Sequence, residues 1–267
     1  MGYWKDKVAI VTGASSGLGR SIAQAYAQAG ARVVIAARGA EALQQAADEL
    51  RAAGHDCLAV TADVTQQEDV DALVARTVEH YGGLDVLVNN AGRSARRAVL
   101  DTTPEEFRDL MELNLISVVR STRAAVPHLL KRQGHLVNIG SLSGKIATRY
   151  MGAYPATKFA LAAYSQQLRL ELGAQGLHVL LVSPGPIARD EPRARSAQEL
   201  AGLPPSAAQP GAGAKTRPIR PEQLAAAIVA ACEQRQSELV VPRAARWLAA
   251  LGQLSPRLGD FLINKAT

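Results

Sequence analysis

The run Gly13-Ala14-Ser15-Ser16-Gly17-Leu18-Gly19 constrains this chain more than any other segment. It follows directly on Lys7-Val8-Ala9-Ile10-Val11-Thr12, a short, apolar, β-branched stretch that reads as a buried strand. A helical pattern then runs from about Arg20 to Ala29 and stops at Gly30. Strand, glycine turn and helix in that order present backbone N–H groups and a positive helix end to a pyrophosphate. Gly13 permits the tight turn, Gly17 lets phosphate approach the backbone, and Gly19 lets the helix pack on the strand. The competing reading is an ordinary turn of an α/β protein.

The rest of the chain repeats the alternation. Strand patterns fall at 7–12, 32–37, 56–61, 84–89, 135–140, 177–182 and 238–241, and helical patterns at 17–29, 40–53, 66–81, 104–132, 154–174 and 221–235. Strands separated by helices imply right-handed βαβ crossovers and a parallel sheet. The expectation is an α/β single-domain Rossmann fold over residues 1–242, with a doubly wound seven-stranded sheet flanked by helices. With 267 residues and 48% apolar content, one large core is possible.

A second constellation lies in the middle of the chain. Tyr154 and Lys158 are four apart, on one face of a helix, with Ser141 thirteen positions before the tyrosine. An ammonium beside a phenol favours phenolate, which makes Tyr154 a credible general acid/base near neutral pH. Tyr150 and Tyr164 lack a lysine at the fourth position, and Ser143 lies beyond the end of the strand that Ser141 follows.

The spacing Gly-x-x-x-Gly-x-Gly, with Tyr154 and Lys158, resembles the short-chain dehydrogenase/reductase family. Asp63-Val64, Asn89-Asn90-Ala91-Gly92, Asn114, Gly140-Ser141 and Pro184-Gly185 occur in that family's order, over roughly residues 5 to 187. The resemblance implies hydride transfer between a nicotinamide dinucleotide and a carbonyl/alcohol pair. It implies Tyr154 as proton donor, Ser141 as hydrogen-bond partner of the reacting oxygen, and Lys158 on the nicotinamide ribose. Asn114 would hold a water that completes a proton path. By the same resemblance Gly13, Ser15, Ser16, Gly17, Leu18 and Gly19 cradle the phosphates, and Asp63 and Val64 rim the adenine. Asn90, Ala91 and Gly92 line the floor beneath the riboses, and Pro184, Gly185 and Ile187 support the nicotinamide amide. Asp63 has an equal alternative as a helix cap near Gln66, and Asn89-Asn90 as the end of a strand. The place two positions after Ile187, often threonine in the family, holds Arg189.

Arg38 ends the second strand. A carboxylate there would bond a ribose 2′-hydroxyl, whereas an arginine attracts a 2′-phosphate. Ala37 stands where relatives that use NAD usually carry Asp, so the expectation is NADP(H) in preference to NAD(H). Two further readings stay open: an epimerase or dehydratase that retains its nicotinamide, and a non-catalytic NADPH-sensing protein.

Residues 186–220 are rich in Pro, Gly, Ala and Arg and read as a substrate lid, with Leu200 and Leu203 as an apolar lip. Residues 243–267 read as two short amphipathic helices divided by Pro256. They could pack on the body or on a second subunit, cover the pocket, or lie on a membrane surface.

The net charge of +6 lacks a dense basic stripe interleaved with aromatics, so nucleic acid is not an expected partner. The substrate is expected to be a small carbonyl or alcohol, and the assembly a homodimer or homotetramer. Two cysteines, Cys57 and Cys232, make no disulfide framework, and five histidines show no paired ligand spacing, so no metal is expected. With no apolar signal core at the amino terminus, these features favour a cytoplasmic protein.

Overall fold

The computed structural model describes residues 2–188, 200, 202–209 and 217–266. Seven strands form one sheet in the order β3-β2-β1-β4-β5-β6-β7. They are β1 (Val8–Thr12), β2 (Arg32–Ala37), β3 (Cys57–Thr61), β4 (Val86–Asn89), β5 (His135–Ile139), β6 (His178–Pro184) and β7 (Glu238–Val241). Every pairing is parallel. The chain works outward from β1 to one edge, then returns to β4 and proceeds to the other. That reversal leaves a crevice beyond the carboxyl ends of β1 and β4, the place where doubly wound sheets bind ligands. This is the expected Rossmann fold.

Helices cover both faces: α1 (Gly17–Gln28), α2 (Ala40–Ala52), α3 (Gln67–Tyr81), α4 (Pro104–Met111), α5 (Ser117–Lys131), α6 (Tyr154–Leu172) and α7 (Pro221–Glu233). The strands are apolar on both sides because both sides are covered: all five residues of β1 are buried. One core cluster joins Val11, Val33, Val88 and Val182 to Ile22, Tyr26 and Ile228, and the other joins Ile10, Val34 and Leu136 to Leu73 and Leu129.

One expected element is divided. The single helix expected over 104–132 is interrupted by a π-helical turn, Glu112–Ile116, between α4 and α5. Such bulges concentrate at functional sites, and Asn114 lies at the centre of this one.

After β7 the chain forms α8 (Ala245–Leu254) and α9 (Pro256–Ala266), divided at Pro256 as expected. Gly252 and Gly259 let the two helices approach closely, since a Cβ on Gly259 would lie 2.9 Å from Gly252 Cα.

Candidate active site

The glycine loop leaves β1 and enters α1 with two left-handed residues, Gly13 at φ +64° and Gly17 at φ +53°. A Cβ on Gly13 would come within 3.0 Å of Ala91 Cα, and one on Gly19 would strike the Gly13 carbonyl. Gly17 is different: apart from its chain neighbours and its own helix backbone, no atom of the described residues lies within 4 Å of its Cβ position. Ser16 precedes α1 without capping it through its side chain, so no Ser16 side-chain oxygen takes up the first-turn N–H groups. A cradle with an open floor at Gly17 and an uncapped helix end fits a pyrophosphate. Ser15 and Leu18 are half-buried in the same turn.

The loop is braced from β4. Asn90 Nδ2 donates to the carbonyls of Thr12 at 2.9 Å and Gly13 at 3.2 Å. Thr12 Oγ1 accepts from the backbone N–H groups of Asn90 and Ala91 and donates to Val88 O. The Asn90 amide nitrogen is therefore engaged in holding the turn. Thr12 shares that work, and only its position at the end of the first strand hints at it.

Arg38 stands just past β2 with its side chain 73% exposed and its guanidinium 3.9 Å from the Asp63 carboxylate. Asp63 Oδ1 accepts from Thr65 N at 2.9 Å and Thr65 Oγ1 at 2.8 Å. Burial works against the Asp63 carboxylate, yet the two Thr65 bonds and Arg38 hold its pKa below the ordinary value. Asp63 thus shapes the turn before α3, whereas the residue at the helix start, Gln66, makes no side-chain cap. Val64 is buried beside it.

Tyr154 and Lys158 open α6. Lys158 is buried, its Nζ donates to Ile139 O at 2.8 Å, and it lies 5.8 Å from the Tyr154 ring centroid. Burial pushes its pKa down from 10.5 to about 8. Ser141 follows β5, and its Oγ accepts from Ser143 N at 3.1 Å. Gly144 lets this turn sit against α6, since a Cβ there would lie 2.6 Å from the Lys158 carbonyl. Asn114 is buried; its Oδ1 accepts from Arg93 N at 3.0 Å, and its Nδ2 donates to Arg93 O at 2.9 Å and Thr157 Oγ1 at 3.1 Å. The π-turn therefore clamps the loop following Gly92 to the helix that carries Tyr154 and Lys158. Gly92 is tight against it, a Cβ there falling 2.9 Å from Asn114 Oδ1.

Beyond β6, Gly185 N donates to Val241 O at 2.7 Å, and Ile187 pairs with Ile219 in an isolated bridge. Ala188 N donates to Ile219 O and Ile219 N to Pro186 O, both at 2.8 Å. The two ends of the 186–220 segment are thereby tied together. Arg189, Pro192 and Pro210 lie outside the described residues.

Arg96, which no sequence motif marks, is buried next to this segment. Its guanidinium donates to Ala207 O at 2.8 Å, Gln209 O at 3.4 Å and Met151 Sδ at 2.8 Å. Ala207 is itself buried, in the short 3₁₀ turn Pro205–Ala208. Tyr150 sits at φ +60°, in the left-handed region, held by Arg97 N donating to its carbonyl at 3.2 Å. At the tail, Arg149 Nη2 donates to Asn264 Oδ1 at 2.8 Å, which brings α9 to the same loop.

Residues 7–199 match the family model described as short chain dehydrogenase. An uncharacterized oxidoreductase of Bacillus subtilis, YxnA, is 37% identical over 98% of this chain and 72% of its own length. Dehydrogenase/reductase SDR family member 7B of Bos taurus is 39% identical over 68% of this chain and 58% of its own length. A short-chain dehydrogenase from Streptomyces avermitilis superposes with a TM-score of 0.83 at 35% identity, covering 99% of this chain and 98% of its own. A short chain dehydrogenase/reductase from Burkholderia phymatum, solved in complex with NAD, superposes with a TM-score of 0.83 at 26% identity, covering 97% and 96% of the two chains.

Proposed function

The chain belongs to the short-chain dehydrogenase/reductase family, and on that premise we propose that it is an NADP(H)-dependent oxidoreductase interconverting a carbonyl and a secondary alcohol. The observation that carries the reading is the buried Lys158, which shares the first turn of α6 with Tyr154 at the carboxyl end of the sheet, where the open glycine cradle also lies.

Gly13, Ser15, Ser16, Gly17, Leu18 and Gly19 would hold the pyrophosphate, with Asp63 and Val64 at the adenine and Asn90, Ala91 and Gly92 beneath the riboses. Pro184, Gly185 and Ile187 would meet the nicotinamide amide. Bound there, the nicotinamide supplies or takes the hydride. In the reducing direction Tyr154 Oη gives a proton to the carbonyl oxygen as negative charge builds on it, and the Ser141 hydroxyl donates a hydrogen bond to the same oxygen. Lys158 stabilises the phenolate that remains and binds ribose. Asn114 keeps the loop at Arg93 and helix α6 in register, and its neighbourhood is the route by which the proton is replaced.

Arg38 supports NADP(H): its exposed guanidinium is available to a 2′-phosphate, and nearby Asp63 is already engaged by Thr65. The segment 186–220 acts as the substrate lid, with Ala207 and Gln209 bonded to Arg96. No helix among the described residues is long and apolar enough to cross a membrane. The tail exposes Trp247, Leu254 and Phe261, which suits packing against a second subunit or a surface contact.

Replacing Tyr154 by Phe tests the mechanism. NADPH consumption with a panel of ketones should fall ~10³-fold while NADPH binding is retained. Full turnover in Tyr154→Phe would remove the assigned acid.

A further inference from the structure

The amino end of the sheet holds a second polar cluster that the proposed chemistry does not use. His135 and His178 are paired first residues of β5 and β6, and their Nδ1 atoms stand 2.8 Å apart. Cys232, on α7, completes the group: one ligand atom from each of the three residues lies within 4.8 Å of the others, and all three residues are buried. Their wide separation in sequence hides them from any ligand-spacing pattern.

The protons follow from the bonds. The Gln236 carbonyl only accepts, so His178 Nε2, 2.7 Å away, carries a hydrogen. His178 Nδ1 is then the acceptor and His135 Nδ1 the donor, and His135 Nε2 accepts from the Tyr3 hydroxyl at 2.8 Å. Both imidazoles are neutral. A neutral imidazole whose outer nitrogen is fixed by a carbonyl or hydroxyl is the form in which histidine ligates metals.

We infer that His135, His178 and Cys232 form a three-ligand site for one soft d¹⁰ cation, Cu⁺ in preference to Zn²⁺. At ordinary bond lengths two such nitrogens stand about 3.3 Å apart, and nitrogen and sulfur about 3.6 Å. The two Nδ1 atoms need to part by about half an ångström, and the sulfur to close by about one. Imidazole and thiolate suit soft ions. Charge selects among them: two neutral imidazoles and one thiolate sum to a single negative charge, which Cu⁺ cancels. Zn²⁺ would leave a buried positive charge in the field of Arg235, which already acts on both histidines. On binding, the Cys232 thiol gives its proton to solvent, and the His135 hydrogen passes from Nδ1 to Nε2, where the Tyr3 oxygen accepts it. One proton leaves per ion and no electron moves. Tyr26 Oη, 3.3 Å from Sγ, donates to the thiolate. The ion would join β5, β6 and α7, and so raise stability.

The test uses the full chain, reduced and stripped with a chelator, then titrated anaerobically with Cu⁺ against a competing chelator and separately with Zn²⁺. The expected result is one Cu⁺ and one released proton per chain, weaker Zn²⁺ binding, and a higher melting temperature with Cu⁺. Cys57→Ser should keep all of this, whereas Cys232→Ser and His178→Gln should each weaken Cu⁺ binding ~100-fold. Circular dichroism establishes that the variants fold. If they do not, the proton count of the intact chain and the Cys57→Ser variant decide. No stoichiometric Cu⁺ in the intact chain, equal loss in Cys57→Ser, or Zn²⁺ bound as tightly as Cu⁺ would overturn the site.

Discussion

The two ends of the sheet handle buried polarity in opposite ways. At the amino end, Tyr3, His135, His178 and the Gln236 carbonyl form a continuous hydrogen-bonded chain. It is covered by Trp4, which packs edge-on against Tyr26 and whose own indole N–H is buried without a partner among the described residues. At the carboxyl end polar groups are held in place with capacity left over. Gly17 faces open space, α1 starts without a side-chain cap, and Lys158 is buried on the Ile139 carbonyl with no ion pair among the described residues. The first arrangement ties strand ends together; the second leaves room for coenzyme and substrate. One sheet does both because coenzyme and substrate enter a doubly wound fold beyond the carboxyl strand ends that the crossover loops leave open.

The contrast is sharpest at Lys158. Burial penalises its charged form, so its pKa is about 8 in the folded chain against 10.5 as the ordinary value. Between those values the unfolded chain binds the additional proton, and stability therefore rises with pH. Relative to Lys158→Met, the cofactor-free wild-type chain should gain up to ~3 kcal/mol between about pH 7 and pH 11, read by denaturant titration. A difference that stays flat across that window would mean that the lysine is as well solvated as a surface one.

Next in size is Arg38→Asp, expected to move the NADP/NAD preference toward NAD by ~10–100-fold, measured as the ratio of kcat/KM values. An unchanged ratio would take Arg38 out of cofactor choice. Arg96→Ala should raise the KM for the carbonyl substrate ~10-fold and leave NADPH affinity alone, since the guanidinium holds Ala207, Gln209 and Met151. Equal weakening of both ligands would show a general loss of order instead. The smallest effect belongs to the other end. Tyr3→Phe leaves His135 Nε2 without its donor and should cost ~1 kcal/mol in unfolding free energy, with turnover unchanged. A drop in turnover would show that the two ends are coupled.

The two ends also differ in how far they could be read from the residues alone. The cradle is local: Val8 to Gly19 carry strand, turn and helix within one stretch, and Tyr154 and Lys158 meet on one turn of α6. Elements of this kind are dictated by nearest neighbours. Asn114 was visible as a residue, but its π-turn was not, because a single expected helix over 104–132 differs from the observed one only in how Asn114 reaches Arg93 and Thr157. Arg96 was silent, since its partners Ala207 and Gln209 lie 111 and 113 residues away along the chain. His135, His178 and Cys232 were silent for the same reason: strand register and helix packing bring them together, and no spacing rule encodes that.

A crystal structure with NADPH bound tests the central claim most directly. The account predicts pyrophosphate on the Gly13–Gly19 turn, the 2′-phosphate at Arg38, Lys158 on the nicotinamide ribose, and the Tyr154 hydroxyl facing the ring across a space large enough for a carbonyl. A coenzyme seated elsewhere, or a Tyr154 hydroxyl turned from the ring with no such space, would contradict it.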